Sequence, residues 1–201
     1  ILINILIAFN ISAIYSSQIK YNMKNIYRKC KLSTVIDYKI FKVAMDGFIK
    51  MEFEKDNVIT IIDYSKSSAK KRFYVIDLKN GILLYHCLVD HGKNSGNVYA
   101  NKFSNKENSK MSCNGFFIAG ETFISKHDYS LRLDGIEKNI NDKERKRGII
   151  IHGASYVSEA FIRKYGRLGK SWGCPALPLE LSKQIIDTIK GGSCISIYGE
   201  Q

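Results

Sequence analysis

The stretch Gly169-Lys170-Ser171-Trp172-Gly173-Cys174-Pro175-Ala176-Leu177 places a cysteine between a glycine and a proline. Proline has no backbone N–H, and glycine favours backbone angles that other residues avoid, so we expect Cys174 on a tight turn rather than inside a helix. On such a turn the thiol is accessible, and the N–H groups of Gly173 and Cys174 can point into one small volume. Acyl transfer by a cysteine nucleophile requires this arrangement, together with a base.

A candidate base stands upstream of the turn. His152 ends the apolar run 149–151, which predicts a short buried strand. A histidine beside a thiol can take its proton and form a thiolate–imidazolium pair, with the thiol pKa lowered from about 8.5 to roughly 3.5–7.5. The alternative is that Cys174 is an inert core residue, as most free cysteines are. The pair of residues alone leaves both interpretations open.

The pattern of strands and turns predicts a mixed chain with more sheet than helix. Residues 58–64, 72–78 and 82–89 are expected strands, the last two joined at Asn80-Gly81, a strong hairpin signal. Further strands are expected at 116–119, 130–133 and 193–198, with residues 137–147 as a polar loop. We therefore predict an α+β fold, a mostly β sandwich or barrel-like core with flanking helices.

Three helices are expected around this core. One begins after a cap at Ser33 or Thr34 and buries a single face. A second covers residues 157–165 and ends at Gly166, and a third begins at Pro178. The buried face of the first helix is predicted to comprise Ile36, Ile40, Val43 and Ala44.

Several motifs, taken in order, resemble the signature of the L,D-transpeptidases, bacterial cysteine enzymes that act on peptidoglycan stem peptides. The resemblance is greatest to the murein L,D-transpeptidase catalytic domain branch and covers roughly residues 38–198. The wider family usually has a second histidine directly before the Gly-Cys step, where this chain has Trp172. The motifs are His152-Gly153-Ala154, Gly166-Arg167-Leu168-Gly169 and the cysteine stretch, with His91-Gly92, Gly115-Phe116-Phe117 and Tyr129-Ser130-Leu131-Arg132-Leu133-Asp134-Gly135 upstream.

The resemblance implies roles for individual residues. Cys174 is the expected nucleophile, His152 the base, and the N–H groups of Gly173 and Cys174 the oxyanion hole. Other neighbours are candidate substrate contacts, although a turn role for Ser171 and core packing for Trp172 are equally open. These candidate contacts are Arg167, Ser171, Trp172 and Tyr156. The sequence calls for no cofactor, and its cysteine and histidine spacings match no metal site.

The implied reaction is peptidoglycan L,D-transpeptidation. The nucleophile attacks the bond between the diamino acid and the terminal D-Ala of a stem tetrapeptide, and an amine takes over the acyl group. Two alternatives remain at this point: an L,D-carboxypeptidase or other cysteine peptidase on the same scaffold, and a non-catalytic module that binds the cell wall.

The N-terminal residues predict export. Residues 1–17 combine an apolar run with small residues, which is typical of a secretory signal peptide, here without a charged start. An uncleaved anchor or a buried strand is the alternative. We expect a linker and helix start over 18–36, a catalytic domain over 37–201, and a mature protein in the periplasm or cell envelope without a stable membrane span.

The net charge bears on the expected binding partners, and the cysteine content bears on which thiols are free. The net charge of +12 suits an anionic envelope polymer, and no nucleic-acid motif accompanies it, so nucleic acid is not an expected partner. The basic runs 70–72 and 143–147 are expected to be solvated loops. Of the five cysteines, Cys87 and Cys194 are expected in the core, and Cys30 and Cys113 either pair or stay reduced.

Overall fold

An eight-stranded mixed sheet organises residues 22–200, the part of the chain that the computed structural model describes. Its strand order is β3-β2-β1-β8-β4-β5-β6-β7, with β1–β8 and β6–β7 parallel and the other neighbours antiparallel. The predicted signal peptide lies outside the described residues. The strands are β1 (Lys55–Asp63), β2 (Phe73–Asp77), β3 (Ile82–Cys87), β4 (Gly115–Ser125), β5 (Asp128–Gly135), β6 (Ile150–Ala154), β7 (Ala176–Pro178) and β8 (Ser193–Tyr198).

Short helices flank the sheet, which curves into a nearly closed, barrel-like core. The predicted α+β fold is thereby confirmed. The α-helices are α1 (Met23–Lys29), α2 (Tyr38–Lys50), α3 (Glu144–Arg147), α4 (Glu159–Tyr165) and α5 (Leu179–Ile189), and a 3₁₀ turn covers Leu32–Thr34. Gly166, with a φ of 70°, ends α4 in the left-handed conformation, as the sequence predicts.

The sheet is buried on both faces along β1. Val58 and Ile62 point into the main core beneath α5, whereas Ile59 and Ile61 pack on the other face with α1 and α2. A strand with both faces covered reads as a continuous apolar run, because neither set of alternating side chains meets water. This explains why residues 58–62 are apolar apart from Thr60, which is buried as well.

The helix predicted to begin after Ser33 or Thr34 is α2, and it begins later than the sequence predicts. Asp37 caps α2 by accepting a hydrogen bond from the Lys39 N–H, whereas Ser33 and Thr34 belong to the 3₁₀ turn. Val43, predicted on the buried face, is 41% exposed. Asp37 is itself a favourable cap residue and lies only four residues after Ser33, so the local sequence contains more than one candidate cap.

The predicted solvated loop at 143–147 is also wrong. It contains α3, and its Arg147 forms an ion pair with Glu144 in which the side chains are 3% and 1% exposed. Arg147 also donates hydrogen bonds to the Ser104 and Met111 carbonyls. These partners are distant in sequence, so a run of charges gave no sign of them.

All five cysteines are free thiols. Cys87 and Cys194 lie in the core as predicted, and Cys30 and Cys113 are buried and reduced. Within residues 22–200, no helix has the length and apolarity to cross a bilayer. The same described residues hold no cluster of three or more histidine, cysteine or acidic side chains that suits a metal ion.

Candidate active site

Parallel pairing of β6 and β7 brings the predicted base and nucleophile to one edge of the core. His152 lies opposite Ala176 in this pairing, and Cys174 lies two residues before Ala176, where β7 begins. Cys174 is half-buried and packs against the main core, and His152 is 1% exposed. Both line the same cavity, of about 530 Å³. The fold thus places two residues that are far apart in sequence at a single site.

Ser171 shapes the turn that carries Cys174. Its hydroxyl donates to the Cys174 carbonyl at 2.6 Å and accepts from the Gly173 N–H at 3.2 Å. Gly173 has a φ of 127°, and a Cβ there would lie 2.7 Å from the Met111 carbonyl oxygen. The turn therefore requires glycine at 173, and the two hydrogen bonds of the Ser171 hydroxyl stabilise it.

The His152 ring is oriented by the backbone. Its Nδ1 lies 3.0 Å from the Gly153 carbonyl oxygen. Because a carbonyl can only accept, Nδ1 carries the proton, and Nε2 is left with a lone pair to act as a base. The His127 ring, from the turn between β4 and β5, stacks on His152 with 4.1 Å between ring centroids and 16° between planes.

Burial favours the neutral forms of both the Cys174 thiol and the His152 ring. Burial raises the pKa of the Cys174 thiol to about 11, and a backbone hydrogen bond with Ile150 offsets this only in part. Burial also lowers the pKa of His152, and His127 and Lys126 lower it further, against the hydrogen bond to Gly153. Both shifts oppose the thiolate–imidazolium pair expected from the sequence, because burial disfavours the charged form of each group.

The layer behind the turn is polar and buried. Asp90 is fully buried, its Oδ1 accepts from the Ala176 N–H at 2.7 Å, and its N–H donates to the Ala176 carbonyl. The Arg72 guanidinium donates to His91 Nδ1 at 2.8 Å, and burial lowers the pKa of His91 to about 3. His91 is therefore a neutral structural residue that helps to fix the strand ends beneath the site.

Asp90 makes stability depend on pH. Burial raises its pKa to about 8, and its Oδ2 has no hydrogen-bond partner among the described residues. The folded protein keeps this carboxyl protonated between about pH 4 and 8 while the unfolded chain ionises it, so stability falls as the pH rises through that range. Asp90→Asn removes the ionisation, and we expect its Tm to exceed that of the wild type increasingly from pH 4 to 8.

Thermal unfolding between pH 4 and 9 checks this expectation. The difference in unfolding free energy should reach a few kcal/mol at pH 8 and vanish near pH 4. Asp46→Asn, which removes a surface carboxylate paired with Lys42, is the matched control. Parallel Tm curves for wild type and Asp90→Asn would show that Asp90 ionises normally in the folded protein.

Three of the four predicted substrate contacts line the cavity. Ser171, Trp172 and Tyr156 line it, and the Trp172 indole is 66% exposed. Arg167 is not among its lining residues, and its Nη1 donates to the Leu168 carbonyl instead. Five further lining residues come from elements that the sequence did not connect with the cysteine: Phe123, Ser125, Lys126, Arg132 and Arg147.

Comparison with solved structures identifies similar folds. The chain is similar to the helical cell shape determining protein Pgp2 (K307A mutant) of Campylobacter jejuni, with 15% identity, a TM-score of 0.50, and coverage of 75% of this chain and 49% of that one. It is also similar to an L,D-transpeptidase of Mycobacterium smegmatis (15% identity, TM-score 0.45, coverage 71% and 59%). A third is L,D-transpeptidase 1 of Mycobacterium tuberculosis (16% identity, TM-score 0.42, coverage 71% and 62%).

The chain thus spans about half to three fifths of the length of these solved structures. No curated protein sequence matches it. The sequence profile of the L,D-transpeptidase catalytic domain, in contrast, matches residues 32–198, which is most of the chain. This protein therefore belongs to the L,D-transpeptidase catalytic domain family.

Proposed function

We propose that this protein is a peptidoglycan L,D-transpeptidase in which Cys174 is the nucleophile and His152 the general base. The observation that carries the proposal is the shared cavity, which holds the Cys174 thiol together with a His152 ring whose Nε2 is free to accept a proton. The substrate is a stem tetrapeptide outside the cytoplasm, in the periplasm or cell envelope.

The first half-reaction forms a thioester. Cys174 Sγ attacks the carbonyl carbon of the diamino acid that precedes the terminal D-Ala, and its proton passes to His152 Nε2. Because both groups are neutral before reaction, proton transfer accompanies the attack rather than preceding it. The tetrahedral intermediate then expels D-Ala, whose nitrogen takes the proton from His152, and the acyl group remains on the sulfur.

The Cys174 N–H is the open donor for the oxyanion. It makes no hydrogen bond with the described residues, whereas the Gly173 N–H already donates to Ser171 Oγ. The Gly173 donor serves the oxyanion as well if its bond to Ser171 is shared. An oxyanion-hole donor contributes about 3–4 kcal/mol to the transition state, so the free Cys174 N–H is a substantial part of the catalytic apparatus.

The second half-reaction transfers the acyl group to an amine. A side-chain amine of another stem gives a 3→3 cross-link, and a free D-amino acid gives an exchange product. His152, neutral again after D-Ala leaves, takes a proton from the incoming amine. A positioned amine can outcompete water, because effective molarities reach about 10⁵–10⁸ M when the geometry is right.

The ratio of transfer to hydrolysis tests this proposal. Disaccharide-tetrapeptide incubated with the protein should give cross-linked dimer, or exchange product when a D-amino acid is added, as measured by mass spectrometry. Formation of tripeptide alone, even with excess amine, would instead identify an L,D-carboxypeptidase. Unchanged tetrapeptide throughout would contradict catalysis on stem peptides.

A further inference from the structure

The charged side chains that line the active-site cavity are all cationic. They are Lys126, Arg132, Arg147 and Lys170, and no aspartate or glutamate is among the lining residues. Arg147 is neutralised by Glu144, and Arg132 Nε lies 3.0 Å from a Glu121 oxygen. Lys126 and Lys170 form no ion pair with any residue of the described chain. The cavity therefore carries positive charge that no protein group balances.

Two lysine ammonium groups lie over the indole of Trp172. Lys110 Nζ lies 4.5 Å and Lys126 Nζ 5.8 Å from the centroid of its indole. A cation over an indole is attracted by the ring's negative face, so Trp172 holds both ammonium groups near the cavity mouth. Lys110, like Lys126, has no acidic partner among residues 22–200. We call Lys110, Lys126 and Trp172 the lysine–tryptophan subsite.

The backbone also holds Lys110 in place. Its φ is 56°, a left-handed conformation that is unfavourable for lysine, and its carbonyl accepts a hydrogen bond from the Asn94 N–H at 3.0 Å. Trp172 lines both the main cavity and a smaller one of about 70 Å³, which Lys110 also lines. Each of the two cavities that meet at the indole therefore has one lysine of the subsite among its lining residues.

We propose that the lysine–tryptophan subsite binds a free carboxylate of the peptide substrate and so selects acidic stem peptides over amidated ones. This inference rests on the proposed function, since that function supplies a peptide with carboxylates near the scissile bond. An unpaired ammonium group close to a reacting peptide favours an anion there, by charge-assisted hydrogen bonding and by attraction over a longer range. The aromatic surface between the lysines receives the adjoining aliphatic part of the residue.

Two carboxylates fit this chemistry. One belongs to the terminal D-Ala, which departs with the leaving group. The other belongs to the side chain of a diaminodicarboxylic acid at the diamino-acid position, which stays on the thioester. Recognition of the first affects acylation only. Recognition of the second also affects attack by the acceptor, so the two sources can be distinguished by measuring both steps.

The test uses four tetrapeptides: the free acid, the C-terminal D-alaninamide, the side-chain amide of the diamino acid, and the double amide. We expect kcat/KM for release of the terminal residue to be about 10- to 100-fold higher for the free acid than for one single amide, the usual effect of a charge-assisted hydrogen bond. The single amide with the lower kcat/KM identifies which of the two carboxylates the subsite binds. The preference should shrink as salt is added, because ions screen exposed charges.

Lysine variants assign the effect to the subsite. Lys126→Gln and Lys110→Gln should each reduce the ratio of kcat/KM for the free acid to kcat/KM for the disfavoured amide, and the double variant should abolish the preference. Lys164→Gln is the matched control. Lys164 also lies over an aromatic ring, with its Nζ 5.2 Å from the Tyr165 centroid, but it does not line the cavity. Its preference should equal that of the wild type.

Some outcomes overturn the inference while leaving the proposed function intact. Equal kcat/KM for the acid and all amides in the wild type would do so, as would lysine variants that slow every peptide by the same factor. In both cases a Cys174 thioester still forms. If none of the four peptides acylates Cys174, the proposed function fails, and the subsite fails with it.

Discussion

Replacing Cys174 with alanine is expected to abolish release of D-Ala from a stem tetrapeptide. The thiol forms the covalent bond of the proposed acyl-enzyme, and no other group in the cavity can replace it, so turnover should fall by on the order of 10⁶-fold, as when other acyl-transfer enzymes lose their nucleophile. Family resemblance also implies that a carbapenem acylates this residue, so the alanine variant should gain no carbapenem mass. Quantified D-Ala release and intact-protein mass spectrometry measure the two effects.

Cys30→Ala provides the matched control. Cys30 is a free thiol buried on the opposite face of the sheet, between the helices and β1. Its variant should retain turnover and carbapenem labelling at Cys174, with only a modest loss of stability from the removed sulfur. Turnover that survives in Cys174→Ala, or labelling that moves to another cysteine, would show that the nucleophile lies elsewhere.

Replacing His152 with alanine should lower turnover by about 10²–10⁴-fold with little change in fold. Burial raises the pKa of the Cys174 thiol to about 11, so almost no thiolate exists at neutral pH and the attack depends on a base. The activity that remains in the variant should therefore rise about tenfold per pH unit between pH 7 and 9, as the thiolate forms without His152. Steady-state rates across this range provide the measurement.

A second histidine serves as the control for this variant. His86 lies on β3, stacks on Tyr74 at 4.8 Å between centroids, and does not line the cavity. His86→Ala should keep the wild-type pH profile. A near-normal rate in His152→Ala would identify another base, and His127, stacked directly on His152, would then be the first candidate.

The parts of the site that local sequence could predict are those on the turn and on β6. The Gly-Cys-Pro step and the apolar run before His152 each constrain their own backbone, so the turn and the strand followed from the residues themselves. The pairing of the two segments is a tertiary contact. It came from resemblance to a family, since no local pattern predicts which strand lies beside the cysteine.

The surrounding charges could not be predicted in this way. Lys126 lies on the turn of the β4–β5 hairpin, and Lys110 lies in a loop before β4, so each comes to Trp172 only through the folding of the whole sheet. Burial also changed the chemistry of the pair. A thiol beside a histidine predicts a thiolate, whereas burial in the core raises the pKa of the Cys174 thiol to about 11.

The most direct test of the central claim is to trap the acyl-enzyme. Protein mixed briefly with tetrapeptide and no acceptor, quenched in acid and analysed by intact mass spectrometry, should gain the mass of the peptide less D-Ala. Peptide mapping should place that thioester on Cys174, and hydroxylamine should remove it. Release of D-Ala without any adduct on Cys174, or with the adduct on another residue, would contradict the account.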